Sequence, residues 1–556
     1  MHAPDSEEWK IAFDKEWYDL QGKGCFQVIA ESDVPKNKSI LRSKWVLKLK
    51  YRDGLFDKRK ARLVICGYDM IKHVDYESSY SPTCSQTSLR LILALTATVG
   101  WHSFDYDAQN AFISAALKPH EYLYMRPLPG YDVGAGNILE VRRNLYGSVE
   151  ASRKFFLLAK EVYLASGLRQ LASDNCVFVR FEFNVLDQSG PVDNEHVFLS
   201  GGFNNMPIIP EHERRYKSCP HAIAAFIVLL YVDNTAMRTN AIELRDEFLN
   251  AVAQDGRIQL LPEGNLEWFL GVRYSYSPDG AITCDQEAYI NTLLHRHGME
   301  SCRPELLPLP CKFDIYALPI PEKPDKLLIA SYASLVGEML YVSVNTAPEI
   351  SQPMHQLTRF MTKASKAHLS YAKHVLKFLK HHRSRKLRWC ATDVAIPRSP
   401  FTIFGFADSS WADDRLGRKS SMFYALFVNG AAFSWKTQLS SIIATSTAEA
   451  ELMSLGVAVQ EVLWARQLAQ ELGFAQTMPT VLYEDNEACI KMAHRELNRS
   501  RSKHIHIKYS FIHHHYANGT FDPQPIASQD QVADVGTALR PLPQFSRCAR
   551  ALRGEK

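Results

Sequence analysis

The chain has 556 residues, 46% of them apolar and 22% charged, with a formal net charge of +4. That balance excludes a disordered or collagen-like chain and allows roughly two to four domains, each with its own core. Eleven cysteines without a CxxC pair argue against a dense disulfide framework or a structural zinc site, and fit reduced thiols in the nucleus or cytosol.

Residues 7–20 read as a short amphipathic helix. Between Lys36 and Arg62 eleven Lys and Arg face only Asp53 and Asp57, a clustering that suits a polyanion. SKWVLKLKYR and KARLVICGY read as two strands joined by a turn at Asp53-Gly54. Lys60 and Arg62 alternate with Ala61 and Leu63, so both project from one face of this ribbon, where they suit a triphosphate. The bland alternative is an edge strand protected by its charges.

SQTSLRLILALTATVG reads as a helix stopped by Gly100. In the strand that follows, Ser103, Asp105 and Asp107 share one face, and residues from Asn110 onward read helical. Asp107 therefore stands at a strand-to-helix junction, with Phe112 returning over the same place. A second helix, led by Gly147, ends at Gly167, and polar residues 184–221 read as a loop or insertion. FIVLLYVDN (226–234) is an apolar strand that ends abruptly on Asp233 and Asn234. A carboxylate there is costly to desolvate unless compensated, and a cation is one candidate. An Asp capping its own turn is the other reading. The longest apolar run, Ala222–Val232, is about half the length of a membrane helix, and residues 1–20 lack a signal core. The sequence thus reads as a soluble intracellular protein with no membrane partner.

Trp268 to Gly271 form a compact apolar turn between strands, Pro-rich 304–324 a linker, and 331–380 a helical stretch. Its last helix sets Ala372, Val375, Leu376 and Leu379 against Lys373, Lys377 and Lys380, leaving the lysines for phosphates. A further domain begins near Phe401. FTIFGFAD ends on Asp408, TVLYED ends on Asp485, a long helix opens with Glu449 and Glu451, and a last helix carries Asp534. Ser446 and Glu449 have capping-box spacing, which leaves Glu451 free to reach Asp408 and Asp485. Four converging acids repel and call for divalent metal, and two metals bridged by carboxylates are how nucleases cut phosphodiesters. Asp107 and Asp233 form a smaller pair that could hold two Mg²⁺ ions. The tract His504, His506, His513–His515 is too irregular for a zinc site and reads as surface histidine.

Over nearly its whole length the chain resembles the reverse transcriptase–ribonuclease H region of a copia-type LTR retrotransposon polyprotein. The matching stretches include SKWVLKLK, KARLVICGY, DAQNAF, NLYGSVEASR, LLYVDN, FLGV, FADSSWADD, SWKTQLSSIIATSTAEAEL and YEDNEACI. The resemblance implies an α+β fold: a right-hand polymerase of fingers, palm and thumb, then an RNase H-like α/β domain. The expected divisions are 1–22 N-terminal helix, 23–270 fingers and palm, 271–400 thumb and connection, 401–540 RNase H-like domain, and 541–556 tail. It implies Asp107 and Asp233 as palm metal ligands, with Lys60, Arg62, Phe112, Gly147 and Tyr231 at the nucleotide. Phe112 would be the gate against a ribose 2′-OH, and Phe269, Leu270 and Gly271 the primer grip. Asp408, Glu451, Asp485 and Asp534 would be the nuclease ligands. The implied cofactor is Mg²⁺ or Mn²⁺; the partners are an RNA template, a DNA primer, dNTPs and an RNA–DNA hybrid. The setting is a cytoplasmic particle or the nucleus. Where the family has Tyr-x-Asp-Asp this chain has Tyr231-Val232-Asp233-Asn234, which removes one charge opposite the metals. Three outcomes are therefore expected to compete: an active polymerase with ribonuclease H, a catalytically impaired nucleic-acid-binding relic, or a chain that keeps only the nuclease.

Overall fold

The computed structural model describes residues 6–52, 55–128, 130–131, 133–182, 224–323, 325–391, 401–495 and 503–555. The turn expected at Asp53-Gly54 and the loop expected at 184–221 lie outside the described residues. The chain divides into two compact units. One holds residues up to Cys84, Phe104–Glu182 and Ala224–Gly264, and the other holds Ser85–Ser103 and the residues from Asn265 onward.

In the first unit the basic segment forms the expected ribbon, Ser43–Arg52 against Leu55–Ile65. Ala61, Leu63 and Ile65 are buried, so the intervening Lys60 and Arg62 take the opposite face. Helix Ser6–Gly22 lies against this ribbon, where Phe13 meets Trp45 at 4.7 Å and the Glu16 carboxylate accepts the Leu63 N–H at 3.4 Å. A four-stranded sheet (Phe26–Ala30, Asn137–Val141, Leu123–Met125, Ile40–Leu41) shares a core with both through Trp17, Leu63, Ile65, Leu139 and Val141.

The second sheet of this unit is the palm. Its strands run in the order Leu260–Gly264, His102–Ala108, Asn234–Thr239, Ala224–Tyr231, Val177–Glu182, Arg169–Gln170. Helices Ala151–Ala165 and Ile242–Asp255 cover it. Tyr163 packs edge-on against Phe178 and Phe248, and its hydroxyl meets Thr235 Oγ1 at 2.8 Å. Residues Phe226 to Leu230 are almost fully buried, as an apolar central strand requires.

The second unit holds a small antiparallel sheet, a five-stranded mixed sheet and, among its helices, Lys326–Asn345, Ser351–Thr358 and Lys366–His381. In the mixed sheet Ala432–Leu439, Ser421–Phe427 and Phe404–Ser410 are antiparallel neighbours; Thr480–Glu484 and Phe521–Pro525 continue it in parallel. Taken in chain order the strands lie 3-2-1-4-5, which is RNase H-like, and helix Thr447–Glu471 crosses from the third to the fourth. The architecture is thus the α+β one expected, with an RNase H-like sheet in its C-terminal part.

Three readings need correction. Lys380 is not left for phosphate, because its Nζ donates to the Glu300 and Cys302 carbonyls at 2.6 Å each. Residues 541–556, read as a tail, contain helix Leu542–Arg553 with Phe545, Cys548, Ala549 and Leu552 buried, a helical spacing masked by the surrounding arginines. Helix Lys326–Asn345 is long and apolar enough to cross a membrane by length and composition, although Tyr332, Leu335, Val336, Met339 and Val342 are buried here within the protein.

Candidate active sites

The first site starts from a two-residue turn. Tyr231 pairs with Asn234, so Val232 and Asp233 alone connect the palm strands. Val232 has φ of 53°, a left-handed conformation that costs a β-branched residue about 1–3 kcal/mol. The neighbouring strand delivers Asp107 alongside: the Ala108 N–H donates to the Asp233 carbonyl at 2.8 Å. Both acids are half-buried. The chain then turns through Asn110 (φ 55°) into the short helix Ala111–Ser114, which carries Phe112.

Tyr146, which the sequence reading passed over, ties these pieces together. Phe112 meets its ring edge-on at 5.5 Å and the Arg62 guanidinium lies 4.5 Å from its centre. Burial raises the pKa of its hydroxyl; Arg62 opposes that shift, and the charges of Glu16, Asp233 and Asp107 add to it. One ring thus meets Phe112 and Arg62, and the charges of Asp107 and Asp233 act on its hydroxyl. Gly147 (φ 86°) has no room for a side chain, since a Cβ would lie 2.2 Å from the Ile65 carbonyl oxygen; its evident role is to seat the ribbon. Lys60 and Tyr231 are half-buried. Phe269, Leu270 and Gly271 belong to the other unit. They form a tight turn there, with Leu270 at φ 51° and Gly271 at φ 66°, and Tyr341 donates its hydroxyl to the Leu270 carbonyl.

The second site lies wholly within the second unit. Asp408, Glu451, Asp485 and Asp534 line one cleft of about 760 Å³. Asp408 lies within strand Phe404–Ser410, which runs two residues past the end expected for it, and Asp485 directly follows the adjacent parallel strand Thr480–Glu484. Glu451 comes from the first turns of helix Thr447–Glu471, held to the sheet by Ser454 Oγ donating to the Asp408 carbonyl at 2.7 Å. The cap at its start differs from a simple box. Ser446 Oγ accepts the Glu449 N–H at 3.2 Å, but the Glu449 carboxylate turns to the Thr445 N–H at 2.6 Å. Asp534 opens only the short helix Asp534–Thr537, shorter than expected. Gln531 brings it in, donating to the Ala407 carbonyl at 3.0 Å, and Thr537 donates to the Asp408 carboxylate. Gly536 lets this turn lie flush on the sheet, because a Cβ there would stand 2.0 Å from Cγ of Phe423.

Electrostatics set the two sites apart. Asp408, Glu451 and Asp534 are 5%, 7% and 5% exposed. Burial pushes the Asp408 and Glu451 carboxyls well up, and mutual repulsion pushes them further. A fifth acid, Glu484, was missed. It is fully buried beneath the same cluster, and burial drives it up as well. The alternation Thr480, Leu482, Glu484 already placed it on the inward face. Glu451 Oε2 is buried without a hydrogen-bond partner among the described residues, the condition a cation would relieve. The all-oxygen donor set suits Mg²⁺ or Mn²⁺. As they stand, no three His, Cys, Asp or Glu side chains among the described residues are gathered tightly enough to hold an ion.

Residues 26–193 match the family model described as reverse transcriptase (RNA-dependent DNA polymerase). The retrovirus-related Pol polyprotein from transposon TNT 1-94 of Nicotiana tabacum is 26% identical over 99% of this chain and 38% of its own length. That from transposon RE1 of Arabidopsis thaliana is 26% identical over 98% of this chain and 33% of its own. Residues 26–193 thus carry the reverse transcriptase match, and the chain as a whole is similar to retrotransposon Pol polyproteins. The resemblance to copia-type Pol regions therefore holds, although the chain spans only 33–38% of the length of these relatives. Among solved structures it is similar to a foamy viral protease-reverse transcriptase in complex with dsDNA, at 11% identity and a TM-score of 0.45, covering 93% of this chain and 83% of that one.

Proposed function

We propose that the chain is an RNA-directed DNA polymerase whose C-terminal domain is a ribonuclease H acting on RNA–DNA hybrids, with Mg²⁺ or Mn²⁺ at both sites. The observation that carries the polymerase half is the meeting of Asp107 and Asp233 on hydrogen-bonded neighbouring strands. In this reading the two carboxylates hold the ions and align a primer 3′-hydroxyl with an incoming dNTP. Arg62, with Lys60, neutralises the triphosphate, and Phe112, braced edge-on by Tyr146, packs where a ribose 2′-OH would project. The nuclease half is supported by four carboxylates in one cleft on an RNase H-like sheet. Asp408, Glu451, Asp485 and Asp534 would hold the ions there and orient the RNA phosphate between them. The chemistry that bound ions supply is activation of the attacking hydroxyl or water and neutralisation of the leaving oxygen. The similar foamy viral structures are titled as complexes with dsDNA and with an RNA/DNA hybrid, which accords with these partners.

Primer extension on an RNA template tests the first half. Extension that needs Mg²⁺ or Mn²⁺ and disappears in Asp107→Asn is the expected result; no extension by either the wild type or Asn234→Asp rejects the polymerase. For the second half, a labelled RNA strand in a hybrid should be cut and single-stranded RNA spared. A hybrid left intact with both metals removes the assignment.

A further inference from the structure

The wall facing the four acids is basic and comes from Arg540 and the segment after it that was first read as a tail. Arg540, Pro543, Gln544 and Arg547 line the same cleft. Two of them are engaged. Arg540 Nη2 donates to Asp534 Oδ1 at 2.9 Å and Gln544 Nε2 to Oδ2 at 2.6 Å, so one segment fixes both carboxylate oxygens. Arg547 follows Gln544 by three residues on the same helix. It is exposed and enters no ion pair among the described residues, and the same is true of Arg550, three residues further along. Residues three apart share a helix face with about 4.5 Å of rise between them.

This helix is firmly seated. Arg553, 3% exposed, donates its Nε to fully buried Glu349 at 3.0 Å. Phe545 stacks edge-on against Phe378 at 5.5 Å, and a Cβ at Gly554 would lie 2.4 Å from the Arg388 carbonyl oxygen. A surface arginine on a loose tail would need no such anchorage. Here a buried ion pair, an aromatic contact and a glycine seat hold the solvated Arg547 guanidinium at the rim of an acidic cleft, with Arg550 exposed three residues further along the same helix.

We propose that Arg547 and Arg550 form a phosphate-binding arm of the nuclease site, taking backbone phosphodiesters of the nucleic acid strand that enters the cleft. The arm deepens the nuclease reading and rests on it. Its job is to lay the strand across the acids at a fixed depth, with the C-terminal helix as the guide. Guanidinium groups suit this because they pair with phosphate oxygens through two parallel hydrogen bonds.

The test is hybrid binding by the full chain in Ca²⁺, followed by fluorescence anisotropy as salt is varied. Each phosphate contact contributes about 0.9 to the slope of log affinity against log salt on duplex. Arg547→Ala should lower the slope by about one and the double variant with Arg550→Ala by about two, with Arg547→Lys restoring most of the slope. An unchanged slope and affinity in the double variant overturns the proposal, as does a loss that lysine does not restore, since that would mark a packing role. Cleavage by the wild type in Mg²⁺ is scored separately. Wild type that cuts while the double variant binds normally sinks the arm alone; wild type that binds with the arm-dependent slope but never cuts sinks the nuclease reading instead.

Discussion

Asp107 and Asp233 lie half-buried beside a strained turn, whereas Asp408, Glu451 and Asp534 are nearly inaccessible and press on one another over a fifth buried acid, Glu484. The palm pair keeps solvent contact for its charge, and Asn234 in the adjoining position leaves one carboxylate fewer there. The nuclease cluster carries so much that the protein already supplies part of the answer: Arg540 and Gln544 clamp Asp534, and Thr537 donates to Asp408. On the proposed reading such a site would take its cations before substrate arrives, while an open one would depend on substrate phosphates to complete it. The contrast implies that removing a carboxylate should be felt differently at the two sites.

Asp485→Asn is expected to cut hybrid cleavage by more than ~100-fold, because direct ligands outweigh the 10–100-fold effects of outer partners, and to leave primer extension untouched. Measuring both activities on one preparation breaks the comparison if the two fall together. Asn234→Asp works in the other direction: restoring the missing charge should raise primer extension about 10–100-fold without changing hybrid cleavage. Ser446→Ala probes the helix that delivers Glu451. Loss of its cap should lower unfolding stability by about 1 kcal/mol, read by denaturant titration.

The smallest effect concerns pH. His382 is held down to about 3 by burial and by Arg385 nearby, so it folds as the neutral ring against Phe378. Its folded value lies below the unfolded one near 6.5. Its contribution is therefore complete above about pH 6.5 and is lost progressively as pH falls toward 3. Between pH 7.5 and 5.5 the wild type should lose no more than about 2 °C of Tm beyond what His382→Leu loses.

Strand ends were the readable part of this chain. Apolar runs closing on Asp233, Asp408 and Asp485 announce themselves because few side chains tolerate that transition without a purpose. The ribbon carrying Lys60 and Arg62 was equally clear from its alternation. Glu484 was open to the same reasoning but stood in the shadow of Asp485. Tyr146 and Gln544 were not readable, because each acts through residues distant in sequence: Arg62 and Phe112 for one, and a helix anchored by Glu349 and Arg553 for the other. Short-range pattern reports which face a side chain takes, and long-range closure decides what it meets there.

Gly536 turns a missing methyl group into a spacer. Because the turn bearing Asp534 rests directly on the Phe423 ring, any larger residue would have to lift that acid away from Asp408 or displace the ring. On the proposed reading, Ala at this position would hold the four acids too far apart to share ions even though every one of them is present.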